Sequence, residues 1–78
     1  MRIDDVEIDE YNEEHVTARA NLREIFQVFA NSPVIRRNRP DRSAEYTATG
    51  KTDGGRTLKI PFDYRDGTAR PITAWEED

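Results

Sequence analysis

The chain contains no cysteine, which excludes a disulfide staple, a thiolate zinc site and a cysteine nucleophile. Its one histidine, His15, is too few for a multi-histidine metal site. Serine is confined to Ser32 and Ser43, and neither stands in a nucleophile elbow, so a serine hydrolase is not expected. Gly54-Gly55 lacks the spacing and the following Lys-Ser/Thr of a phosphate-binding loop. No apolar run approaches the ~18 residues that cross a bilayer, and the first residues lack the apolar stretch of a signal peptide. The expectation is a cytoplasmic protein with no membrane partner, no metal and no cofactor. Large apolar residues are scarce too, since Leu, Ile, Val and Phe together number fifteen of 78. A core that small stabilises one domain only modestly, so a homodimer or another partner is expected to add to it.

Charge is what the chain has in quantity, at 36% of residues, and it is unevenly spread. Residues 1–14 carry seven acids against Arg2, a net −6, and Glu76, Glu77 and Asp78 add −3. Residues 15–75 hold eleven Lys or Arg against six acids, a net +5. Arg36, Arg37, Arg39 and Arg42 fall within seven residues, opposed only by Asp41. That asymmetry suits a polyanion or an acidic partner on the central segment. The competing explanation is a solvated strand edge, where charge discourages sheet-to-sheet aggregation. The overall net charge of −4 weighs against strong nucleic-acid binding.

The apolar pattern changes period along the chain. Residues 1–10 read as an acidic arm in which Ile3, Val6 and Ile8 leave room for a short strand. Residues 11–20 suit a short helix, with Asn12 as its cap and Glu13 and Glu14 favourable to its dipole. Asn21 with Glu24 three residues later has the form of a capping box. Leu22, Ile25, Phe26 and Phe29 then form one apolar stripe on a second helix, which Asn31-Ser32-Pro33 ends. One bent helix fits the same residues. From Val34 onward the period is two. Strands are expected at Val34-Ile35, at residues 44–51, at Leu58 to Tyr64 and at Ala69 to Trp75, with turns at Asp53-Gly54-Gly55 and Asp66-Gly67. Pro61 cannot donate to a ladder, so its strand needs an edge, a bulge or a free N–H side there. Residues 11–78 are therefore expected to form a single α+β domain, an N-terminal helical pair packed on a four-stranded antiparallel sheet.

Several stretches share their order with a known family: Glu14-His15-Val16, the stripe from Glu24 to Phe29 ending in Asn31-Ser32-Pro33, the run from Gly50 to Leu58, and Arg70-Pro71-Ile72-Thr73-Ala74. Across residues 11–75 the chain resembles the BrnT-like branch of the RelE-type toxins, and within it short variants ending in Ala-Trp-Glu. The resemblance implies a helical pair on a twisted antiparallel sheet. It also implies a cognate antitoxin protein and metal-independent cleavage of RNA by a toxin-type endonuclease. In such cleavage a 2′-hydroxyl attacks the adjacent phosphate while cations stabilise the growing charge.

On this chain the candidates for that chemistry are few. Arginine suits phosphate because its planar fork donates two parallel hydrogen bonds. Arg56, just after a turn, and Arg70, near the start of the last strand, are the candidate catalytic cations. His15 is the candidate proton-transfer group, and a carbonyl or carboxylate contact is its ordinary alternative. Arg36, Arg37, Arg39, Arg42 and Lys51 are the candidate RNA-binding set. Tyr46 and Tyr64 are expected in the core. Trp75 is expected against the helices, with an interface anchor as the alternative. If the chain is an enzyme, it is a ribonuclease. The alternatives are a non-catalytic binding module for an acidic protein or nucleic acid, and a self-assembling domain whose acidic arm meets the arginine segment of another copy.

Overall fold

A computed structural model describes residues 1–77. The capping box forms as the sequence requires. Asn21 accepts from the Glu24 N–H at 2.8 Å, Glu24 accepts from the Asn21 N–H at 3.2 Å, and α2 runs Leu22–Ala30 behind them. Its end is set by Asn31, whose N–H closes on the Gln27 carbonyl at 2.8 Å, and by Ser32 at φ 54° before Pro33. The buried stripe is Ile25 and Val28 with Phe29 beside them, while Phe26 is 45% exposed. Helix α2 is thus turned away from the expected Leu22–Phe26 side. Gly50 explains the rotation, because a Cβ there would lie 3.2 Å from Val28 Cγ1 and 3.0 Å from Pro33 Cβ. Its bare backbone lets Val28 settle on the sheet.

The first helix is much shorter than expected. Helix α1 covers only Glu13–Val16. The Thr17 hydroxyl donates to the Glu13 carbonyl at 2.6 Å, a local bond that competes with continuing the ladder. Asn12 precedes α1 without capping it. Its buried amide instead donates to the Glu7 carbonyl at 3.1 Å and the Pro71 carbonyl at 2.9 Å, tying the N-terminal segment to the sheet.

The α+β class holds, but the sheet has six strands and is mixed, in place of four antiparallel ones. Its strands are β1 (Asp5–Val6), β2 (Val34–Arg37), β3 (Tyr46–Lys51), β4 (Thr57–Arg65), β5 (Thr68–Pro71) and β6 (Trp75–Glu76). The order is β1-β5-β4-β3-β2, with β6 also on β4. Two local events account for the difference. The apolar alternation in the acidic arm is used, and β1 pairs in parallel with β5 at Asp5–Thr68 and Val6–Ala69. The expected last strand is broken in two. Phe62 pairs with Pro71 and Lys59 pairs with Trp75, so four steps on one strand match three on the other, a one-residue bulge. Pro61 sits opposite that break. Its carbonyl accepts from the Ile72 N–H at 2.8 Å, so the side on which proline lacks a donor faces the interruption.

Strand β4 carries the core on alternate residues: Leu58, Ile60 and Phe62 are fully buried under α2 with Ala48 and Ala69. Phe62 meets Phe29 edge-on at 5.4 Å and stacks with Tyr46 at 5.7 Å. Tyr64 meets Tyr46 edge-on at 6.4 Å, so both tyrosines pack at the margin of the core as expected. The Asp66-Gly67 turn has φ 48° and 84°, the doubly positive geometry that suits the twist of a two-residue hairpin.

Candidate nucleic-acid interface

Strand alternation places a second set of side chains on the face that α2 does not cover. Arg36, Thr47 and Pro61 form one row across β2, β3 and β4, and Val34, Thr49, Lys59 and Trp75 form the next. Lys51 and Thr57 pair beyond them, where Lys51 Nζ donates to Thr57 Oγ1 at 3.1 Å. The segment between β2 and β3 folds over this face, with the Thr47 hydroxyl donating to Asn38 Oδ1 at 2.9 Å. Between that segment and the 72–75 bulge lies a hollow of about 400 Å3. Its floor holds Thr47, Lys59 and Pro61, and its walls hold Arg42 and Trp75.

The expected RNA-binding residues divide between two sides. Arg36 and Lys51 lie on the open face, and Arg42 reaches the hollow. Arg37 is turned to the other side, where its guanidinium lies 5.7 Å from the Tyr46 ring centre and donates to the Tyr46 hydroxyl at 3.3 Å. Arg39 lies with Arg37, Pro40 and Arg42 around a separate hollow of about 240 Å3. Among the described residues, no carboxylate comes within ion-pair distance of any of these four arginines or of Lys51. Lys59 is paired with Glu77 at 3.3 Å, both being well exposed.

Arg56 and Arg70 are held quite differently. Arg56 Nη1 donates to both Glu24 oxygens at 2.8 Å, its Nη2 reaches Glu76 at 3.2 Å, and its Nη2 also donates to the Arg19 carbonyl at 3.0 Å. Arg70 pairs bidentately with Asp9 and contacts Glu7 at 3.2 Å. These hydrogen bonds, Glu24 first for Arg56 and Asp9 first for Arg70, raise both guanidinium pKa values further above their ordinary value. The Arg70 bond likewise holds the Asp9 carboxyl below the ordinary carboxylate range. The two arginines also stand far apart. Arg56 adjoins Thr57 and Arg70 pairs with Asp63, six residues on along β4, or about 20 Å. In this arrangement Arg56 fastens α2 to β6, and Arg70 fastens the N-terminal segment to β5.

Comparison with known families, curated proteins and solved structures finds no match.

The open face carries charge of both signs. A hollow of about 700 Å3 lies at its Asp66-Gly67 end, where Glu7, Glu45, Asp63 and Asp66 outnumber Arg65 and Arg70. Arg36, in the row next to Glu45 and Asp63, borders that acidic hollow, and Lys51 lies two rows farther along the sheet. His15 is exposed and lies in a third hollow of about 360 Å3 with Arg19, Thr73 and Trp75. Glu14 also lines this hollow, and Trp75 lines it and the 400 Å3 one alike, so the two hollows adjoin at the indole.

Lys59 and Arg19, which line the two hollows, are the residues that sequence reasoning missed, and Trp75 was expected at an interface only as the alternative. Trp75 is 36% exposed and outside the core cluster, contrary to its expected packing against the helices. Simple alternation from the buried Pro71 aims Trp75 inward, and the one-residue bulge turns it outward instead. The signal available in the sequence was Pro61, for which a bulge was one of three expectations beside an edge and a free N–H side.

Proposed function

We propose that this chain grips single-stranded RNA by its phosphates on the open face of the sheet, as a toxin-type RNA endonuclease of a toxin–antitoxin pair. The observation that carries the RNA reading is the set Arg36, Arg42 and Lys51, which share one face and have no carboxylate partner among the described residues. Among the described residues Arg2, Arg56, Lys59 and Arg70 are ion-paired, whereas Arg19, Arg23, Arg37, Arg39 and Arg65 also stand without a carboxylate but do not share the Arg36–Thr47–Pro61 side of the sheet with Lys51, save Arg65 in its acidic hollow. Three uncompensated cations on one surface repel one another, and a polyanion relieves that repulsion. The toxin reading rests on the resemblance to BrnT-like proteins, and the position of His15 is compatible with it. In that reading His15 accepts the proton of a 2′-hydroxyl as its oxygen attacks the neighbouring phosphorus. The bond to the 5′-oxygen breaks and that oxygen takes a proton from water, leaving a cyclic 2′,3′-phosphate and a 5′-hydroxyl end, while Arg42 and Arg36 stabilise the charge on the phosphate oxygens. Arg56 and Arg70 hold elements of the fold together in this reading, because carboxylates already occupy their guanidinium groups.

That same occupancy favours one second reading, a non-catalytic RNA-binding module of the same shape. Expression of the full chain in a bacterial host, with incubation of purified protein and single-stranded RNA, separates the two. Growth arrest and RNA cleavage, both lost in His15→Ala and in an Arg36→Ala/Arg42→Ala double variant, support the nuclease. Salt-sensitive binding without cleavage selects the module. RNA that neither binds nor is cut overturns both.

A further inference from the structure

We infer that Trp75 is a stacking platform for an unpaired nucleobase, seated in the 400 Å3 hollow on the open face. The inference rests on the RNA reading above and narrows it to single strands whose bases are splayed out. Several observations converge on this residue. Trp75 is the chain's only tryptophan, and the bulge at residues 72–74 keeps it from the core it would otherwise join. It lies across from Lys59 and lines the hollow together with Arg42, so a flat apolar surface is bracketed by two cations. The polar groups beside it, Thr47, Asn38 and Ser43, offer donors and acceptors to a base edge. A stacked base with its phosphate on Arg42 satisfies both the ring and that free charge, which is how sequence-tolerant single-strand sites are built. On the far side of Trp75, the His15 hollow lies where the neighbouring nucleotide would pass.

The sole tryptophan reports on its own occupancy. Intrinsic fluorescence of the full chain is to be titrated with a short single-stranded RNA, with the same sequence as a duplex, and with inorganic polyphosphate, while anisotropy of a labelled RNA measures binding independently. Single-stranded RNA is expected to quench Trp75 emission, and duplex and polyphosphate are expected to leave it unchanged. Trp75→Ala should weaken single-strand binding roughly 5- to 150-fold, and Trp75→Phe, which keeps a ring, should weaken it less. Circular dichroism of both variants shows that they fold, and the wild-type quenching stands even if one does not. RNA that binds with unchanged Trp75 emission and equal affinity for Trp75→Ala overturns the stacking platform and leaves the RNA reading intact. Quenching by polyphosphate equal to that by RNA also overturns it. Absence of RNA binding in the anisotropy arm overturns the proposed function itself.

Discussion

The salt dependence of RNA binding turns the open face into a count. Among the described residues, Arg36, Arg42 and Lys51 are the cations on or beside that face with neither an ion pair nor an acidic hollow around them, whereas Lys59 is engaged with Glu77 and Arg65 stands among Glu45, Asp63 and Asp66. Three contacts to a single strand give a slope of about −2 in log affinity against log salt. Raising salt fourfold then weakens binding about 20-fold. Alanine at both Arg36 and Arg42 leaves one contact, a slope of about −0.7, and a loss of about threefold over the same range. The measurement is anisotropy of a labelled single-stranded RNA at constant pH, with thermal melts to show that these solvent-facing substitutions leave the fold intact. Glu77→Gln adds an internal check, since releasing Lys59 should steepen the wild-type slope by about 0.7. A wild-type slope near zero refutes the polyanion face. A double variant that keeps the wild-type slope places the contacts elsewhere and refutes the assignment of these residues.

Two further outcomes follow from the packing. Arg70 depresses the Asp9 carboxyl, so the pair stabilises the folded chain above the ordinary carboxylate pKa, and that contribution fades as pH falls through the lowered value. The difference in Tm between wild type and Asp9→Asn should therefore be present at neutral pH and close below about pH 4, and a difference that ignores pH contradicts the assignment. Gly50→Ala drives a Cβ to 3.0 Å from Pro33 Cβ and 3.2 Å from Val28 Cγ1. It should cost about 1–3 kcal/mol in urea unfolding, and an unchanged midpoint would show that α2 yields without strain.

The parts of this fold legible in the sequence are those set by neighbouring residues. The capping box at Asn21 and Glu24, the proline stop after α2, the alternation along β4 and the Asp66-Gly67 turn each involve contacts within a few positions. The parts that were not legible depend on distant partners. Asn12 is a good cap by type, yet it serves the Glu7 and Pro71 carbonyls, the latter 59 residues away. Asp5 and Val6 are too short a stretch to form a strand alone and do so only beside Thr68 and Ala69. For the site the divide is the same. The cluster from Arg36 to Arg42 is visible as composition, but strand parity sends Arg37 to one side of the sheet and Arg36 to the other. Arg56 and Arg70 looked suited to phosphate by residue type, and only the fold brings Glu24 and Glu76 to one and Glu7 and Asp9 to the other.

The parallel pairing of β1 with β5 has a consequence for how the chain comes to be folded in the cell. The Asp4 and Asp5 amides donate to the Gly67 carbonyl at 2.7 and 3.2 Å, and the Glu7 amide donates to the Ala69 carbonyl at 2.8 Å. During synthesis the amino-terminal segment emerges first, but its docking edge does not exist until residues 67–69 have followed it out. Closing so long a loop is entropically costly and comes late. Until that loop closes, the margin of β5 stands without its parallel partner and the backbone donors of Asp4, Asp5 and Glu7 remain in water.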